Sequence, residues 1–279
     1  MVMPYRIDGP SSEKPPILTA HGLVSSRQHW CFFTPHFAAE REVISWDYRG
    51  HGGHAAGELD VGVDTFADDA FEVWRATERP PAVVVGLSFG VQVALEIWRR
   101  HAEMVKALVL ICGTPGHPLN RVSSSAALRR STASMFRALG RQRVLAAPLL
   151  AFARSAAGVA IARELTYASG GARRGACPQE VLDDLFQHVG SLDPQLIGNV
   201  IGAYLEHTAE DVLPTISVPT LVIAGDKDEL TPVETAERMA GAIPGSELVI
   251  FPGHSHLVQV EIPDQVHAAI DDFLRARSL

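Results

Sequence analysis

Val83-Val84-Val85-Gly86-Leu87-Ser88-Phe89-Gly90-Val91-Gln92-Val93-Ala94-Leu95-Glu96 is the stretch from which the rest of the chain can be read. Three β-branched residues run into a glycine, a serine stands between two glycines, and the apolar residues beyond recur at helical spacing. That order predicts strand, tight turn and helix, with Ser88 at the apex. A turn this sharp holds the serine in a strained backbone conformation. Gly86 and Gly90 are then required, because a Cβ at either would collide with the neighbouring strand or helix. The hydroxyl is lifted clear of the sheet edge. The Phe89 amide, at a helix N-terminus, is aimed at whatever that oxygen attacks.

Strands and helices alternate on both sides of this stretch. Ile17-Leu18-Thr19-Ala20 and Val43-Ile44-Ser45-Trp46 are short apolar strands of the kind found in a sheet covered on both faces. A helix-like segment at 25–39, a helix at 63–77 and a buried strand at 107–111 complete the first block. Tyr5-Arg6-Ile7-Asp8 reads as a short edge strand. Alternation resumes with strands at 220–224 and 248–251 and helices at 232–242 and 263–277. Between the blocks lies only Ala/Leu/Arg-rich helical pattern. The expected fold class is α/β: a mostly parallel sheet of about six to eight strands, helices on both faces, and a helical insertion. The expected division is a core at 1–113 and 214–279, with a cap at 114–213.

Composition narrows the function. A chain of 279 residues with 47% hydrophobic and 20% charged residues is an ordinary globular protein. A formal net charge of -8 and a pI near 5.8 argue against nucleic acid as a partner. Cys31, Cys112 and Cys177 are odd in number and widely spaced, which suits a reducing compartment and excludes a Cys-based zinc site. With no signal peptide visible, the cytoplasm is expected. The apolar run at 144–162 is interrupted by Pro148, Arg154 and Gly158. It therefore reads as a buried or cleft-lining helix pair over an apolar acyl pocket, not as a membrane span.

In an open parallel sheet, reactive groups collect at the carboxyl ends of strands. After Ala20 stands His21-Gly22-Leu23, where Gly22 permits close backbone approach and the Leu23 amide can join that of Phe89 as an oxyanion hole. The loop Gly225-Asp226-Lys227-Asp228-Glu229 offers an acid. Asp228, beyond the turn and ahead of the next helix, is favoured, and Asp226 and Glu229 read as solvated charges. Pro252-Gly253-His254-Ser255-His256 offers two imidazoles as base for a serine nucleophile. A zinc pair lacks third and fourth ligands at sensible spacing. His21, Gly22 and Leu257 are the candidate substrate contacts. His29, His36, His51, His54, His101, His117, His188, His207 and His267 read as surface or loop residues.

Taken together, these residues resemble the α/β-hydrolase fold superfamily, in its single-cap, serine esterase-like branch. The resemblance rests on His21-Gly22, Asp47-Tyr48-Arg49-Gly50-His51-Gly52, the Ser88 turn, Gly225-x-x-Asp228-x-x-x-Pro232 and a His-x4-Glu-x-Pro pattern. That last pattern selects His256, at the family's spacing from Glu261 and Pro263, over His254. The chain departs from the family at Gly53-His54, where a small or hydroxyl residue is usual.

The resemblance implies acyl transfer through Ser88, His256 and Asp228, with no cofactor and no metal. The substrate it implies is a small-molecule carboxylic ester, lactone or thioester. The same triad also serves carbon–carbon bond hydrolysis, perhydrolysis and transfer to other acceptors, and a non-catalytic receptor can share the scaffold. Serine at the turn disfavours haloalkane dehalogenation, which needs a carboxylate there. Within the insertion, Leu128, Thr132, Met135 and Leu139 fall on one helical face and Arg130, Arg137 and Arg141 on the other. Ten arginines against the single carboxylate Glu164 between Arg121 and Arg174 suggest recruitment of anionic substrates or an anionic interface.

Overall fold

In the computed structural model, which describes residues 2–53, 61–118 and 125–279, a seven-stranded sheet runs in the order β1-β3-β2-β4-β5-β6-β7. These strands are β1 (Tyr5–Asp8), β2 (Ile17–Ala20), β3 (Val43–Trp46), β4 (Ala82–Leu87), β5 (Val105–Ile111), β6 (Thr220–Gly225) and β7 (Glu247–Phe251). Only β1 is antiparallel, pairing Tyr5 with Trp46 on β3; every other neighbour is parallel. The helices are α1 (Phe33–Phe37), α2 (Val63–Thr77), α3 (Phe89–His101), α4 (Ala126–Arg141), α5 (Arg143–Ala153) and α6 (Ala156–Ala168). They continue with α7 (Gln179–Ser191), α8 (Pro194–Glu206), α9 (Val233–Ala242), α10 (Val258–Glu261) and α11 (Pro263–Arg275). His54, one of the residues at which the chain departs from the family pattern, lies outside the described residues.

Alternation along β4 explains the layers. Val84 packs with Leu18, Leu108 and Val222 beneath α2, α3 and α9, through Phe66, Val93 and Met239. Val83 and Val85 point the other way, into a core with Phe33, Phe37, Ile270 and Phe273 from α1 and α11. Buried on both faces, the central strands are continuous apolar runs. Helices α2 and α3 are tied by Arg100, bidentate to Asp68 at 2.8 Å through both nitrogens.

At the end of β4 the chain turns with Ser88 at φ 56 and ψ -116. A Cβ on Gly86 would lie 2.4 Å from the Gly90 carbonyl oxygen, and one on Gly90 would lie 2.0 Å from that of Ala20. Both obstacles are backbone, so neither can swing aside. Gly90→Ala is therefore expected to cost about 3 kcal/mol and to lower Tm by about 10 °C, as overpacking of a closed core does. A thermal melt checks this, and a shift under about 2 °C would contradict the contact.

Three expectations are corrected. The segment 25–39 is not one helix but a 3-10 turn (Arg27–Trp30) followed by α1. Pro35 has no N–H to give to Cys31, and its ring would strike that carbonyl in a continuous helix. The run at 144–162 is largely exposed: Val144 (85%), Leu149 (68%) and Ile161 (52%) face outward, while Gly158 and Val159 are buried. Nor does α4 pack through its large apolar residues. Ala133 and Gly140 are buried against α8, Arg137 bonds Glu206 at 2.7 Å, and Leu128, Met135 and Leu139 are exposed. No helix among the described residues is long and apolar enough to cross a membrane.

His29, His51 and His267 are buried, contrary to their surface reading. Burial pushes each of these imidazoles down to about 4. Between that value and an unfolded-state value of about 6.5, the unfolded chain binds more protons than the folded one. Stability from these groups is thus present above pH about 6.5 and is lost as pH falls toward about 4. His267 sits among Phe33, Phe37 and the stacked His36, far from Ser88. His267→Phe should flatten the fall of Tm between pH 6.5 and 4, as measured by melts across that range; an unchanged slope would refute it.

Candidate active site

Three side chains from three strand ends meet above the sheet. His256 Nε2 lies 2.8 Å from Ser88 Oγ, and His256 Nδ1 lies 2.8 Å from Asp228 Oδ2. A carboxylate can only accept, so the proton of the neutral ring resides on Nδ1 and Nε2 accepts from the serine hydroxyl. An imidazole so placed can take the Ser88 proton. Asp228 is itself held: the Leu230 and Thr231 amides donate to Oδ1 at 2.9 and 2.8 Å, and the Thr231 hydroxyl donates to Oδ2 at 2.6 Å. Thr231 went unnoticed in the sequence, although an Asp followed three residues later by Thr ahead of a helix is a recognisable local hydrogen-bonding pattern.

The two loops that carry Asp228 and His256 are joined. Asp226, read as a solvated charge, accepts from the Gly253 amide at 2.5 Å. His254 points away from Ser88, its Nδ1 at 3.1 Å from Glu261 Oε2. The Glu261 carboxylate also accepts from the Ser255 amide at 3.1 Å, from the Ser255 hydroxyl, and from the Arg173 amide at 2.6 Å. This gives the His-x4-Glu spacing a physical meaning. Glu261, at the end of α10, reaches back to pin the loop from which His256 projects.

Neither the Leu23 nor the Phe89 amide has a protein acceptor among the described residues. A Cβ on Gly22 would stand at an ordinary 3.7 Å from Ser88 Cβ, so crowding does not demand this glycine. His21 performs the orienting instead. Its Nε2 accepts from the Tyr48 amide at 3.3 Å, which leaves the proton on Nδ1 for the Gly22 carbonyl at 3.0 Å. That carbonyl and the Leu23 N–H belong to one trans peptide and point in opposite directions. Holding the first aims the second. His21 is fully enclosed and pushed well below the usual imidazole range by burial and by His51. It braces the loop and is not among the residues that line the cavity over Ser88.

A cavity of about 390 Å³ opens over Ser88 and His256, and Gly22, Leu23 and Leu257 line it. Its apolar wall comes from Val181, Leu182 and Leu185 on α7 and from Val260. No described side chain of the run at 144–162 lines it, so the described residues place no acyl pocket beneath that run. No Arg or Lys among the described residues lines it either; Arg137, Arg163 and Arg174 pair with Glu206, Asp183 and Glu164 elsewhere. Among the described residues no three His, Cys, Asp or Glu side chains gather as a metal-ligand set.

A family model described as "Alpha/beta hydrolase family" matches residues 17–269. The chain belongs to this family. As an α/β hydrolase it is a hydrolytic enzyme, and its relatives span several chemistries. It is 27% identical over 93% of its length to a putative non-heme chloroperoxidase of Synechocystis sp., covering 91% of that protein. It is 28% identical over 94% of its length to a pimeloyl-(acyl-carrier protein) methyl ester esterase of Aromatoleum aromaticum, covering 99% of it. Among solved structures, a thermophilic esterase from Thermogutta terrifontis superposes with a TM-score of 0.75 at 25% identity, covering 98% of this chain and 93% of that one. These relatives are named for different activities, two as esterases and one as a chloroperoxidase.

Proposed function

We propose that the protein is a serine hydrolase that cleaves a carboxylic ester, lactone or thioester of a small to medium apolar acyl group through an acyl-enzyme. What carries this reading is the chain of two 2.8 Å hydrogen bonds from Ser88 through His256 to Asp228. His256 takes the Ser88 proton as the oxygen attacks the carbonyl, and the Leu23 and Phe89 amides receive the negative charge that develops. The imidazolium, steadied by Asp228, protonates the leaving alkoxide. Water then enters by the same route and releases the acid. No step calls for a cofactor or a metal.

Residues 114–213 act as the cap over a core formed by 1–113 and 214–279. This division is supported by the position of α7, whose apolar face closes the cavity. Gly22 and Leu257 contact the substrate there. The three unpaired cysteines fit a reducing cytoplasm. A second use of the same triad, with hydrogen peroxide in place of water, is favoured by the chloroperoxidase relative.

The reading is tested with a fluorophosphonate probe and a p-nitrophenyl ester chain-length series. Ser88 should be the labelled residue, with short to medium acyl chains turned over best. Folded protein that leaves Ser88 unlabelled would refute it.

A further inference from the structure

One uncharged donor stands in the wall of the cavity without an acceptor in the protein. It is Tyr204 on α8. Its ring stands edge-on to Phe89, the residue that follows Ser88, at 5.4 Å. It lines the cavity, and its hydroxyl has no protein partner among the described residues. Burial and the Asp228 carboxylate push the phenol up, so it stays protonated. No Asp, Glu, Lys or Arg among the described residues lines the same cavity. An anionic substrate group would find no counter-charge there, and a plain alkyl chain would seal the Tyr204 hydroxyl away from any acceptor.

Resting on the ester-hydrolase reading, we infer that the physiological substrate carries a second, uncharged hydrogen-bond acceptor such as a ketone oxygen, engaged in the cavity by Tyr204. The acceptor is uncharged because the donor is neutral and nothing in the lining balances an anion. A site built around such a donor discriminates against the analogue that lacks the acceptor.

Matched p-nitrophenyl esters test this, hexanoate against 3-, 4- and 5-oxohexanoate, together with butyl against 3-oxobutyl hexanoate to place the acceptor on the alcohol side. With the wild type, at least one oxo ester should exceed its plain partner about fivefold or more in kcat/KM. The readout is the ratio of oxo to plain ester, not the absolute rate. Tyr204→Phe, which removes no protein hydrogen bond, should bring that ratio close to one. The inference is overturned if no oxo ester is preferred, or if the preference survives intact in Tyr204→Phe. Hydrolysis of plain esters with no oxo preference would sink this inference and leave the ester-hydrolase reading standing; no ester turnover at all would end both.

Discussion

Alanine at position 88 is expected to lower kcat on p-nitrophenyl esters by about 10⁴–10⁶-fold while changing KM little. The substitution removes one oxygen whose partner is His256 Nε2 at 2.8 Å. It leaves the turn unchanged, since φ 56 is as uncomfortable for alanine as for serine. A melt within a few degrees of the wild type would therefore accompany the loss, which separates chemistry from unfolding. Some rate over water should persist, because the Leu23 and Phe89 amides still face a bound carbonyl. A fall of only a few-fold would mean that some other group attacks, and the acyl-enzyme reading would have to be abandoned.

Asp228→Asn should cost about 10⁴-fold in kcat at pH 7. Asparagine keeps the volume and can still accept from the Leu230 and Thr231 amides through one oxygen. Its NH2 group would then face His256 Nδ1, where Oδ2 now accepts at 2.8 Å. A donor there forces the ring proton onto Nε2, and Nε2–H can no longer take the serine proton. The Thr231 hydroxyl, now donating to Oδ2 at 2.6 Å, is free to rotate and accept instead, so the loop should hold its shape. Steady-state kinetics alongside a thermal melt measure both effects. A loss smaller than about tenfold with the fold intact would show that the acid contributes little to orienting the base.

Much of this site was legible before any coordinates. The turn at Ser88 is specified by local sterics. Gly86 is required by its near neighbour Gly90, whereas Gly90 is required by Ala20 on the adjacent strand β2; the G-x-S-x-G spacing records both. Asp228 and His256 were legible for a related reason, since each follows a short apolar strand, and parallel strands bring their carboxyl ends to one edge. The loop of His254-Ser255-His256 was ambiguous from chemistry alone, and a spacing to Glu261 separated the two imidazoles. The structure supplies the cause in the Glu261 carboxylate that holds His254 and Ser255.

The sequence by itself determined the strand-turn-helix that presents Ser88, the strand-helix alternation that implies a parallel sheet and the order in which the reactive groups occur, because these patterns are read from neighbours one to four residues apart. Only the tertiary structure decided which wall closes the cavity, which way α4 faces, and that His21 braces the Gly22-Leu23 peptide from outside the cavity lining. Those outcomes turn on contacts between distant segments. Gly140 and Gly198 let α4 and α8 approach so closely that a Cβ on either would lie about 2.5 and 2.4 Å from the opposing backbone. Packing through small residues left Leu128, Met135 and Leu139 outside, and an amphipathic pattern cannot announce that preference in advance.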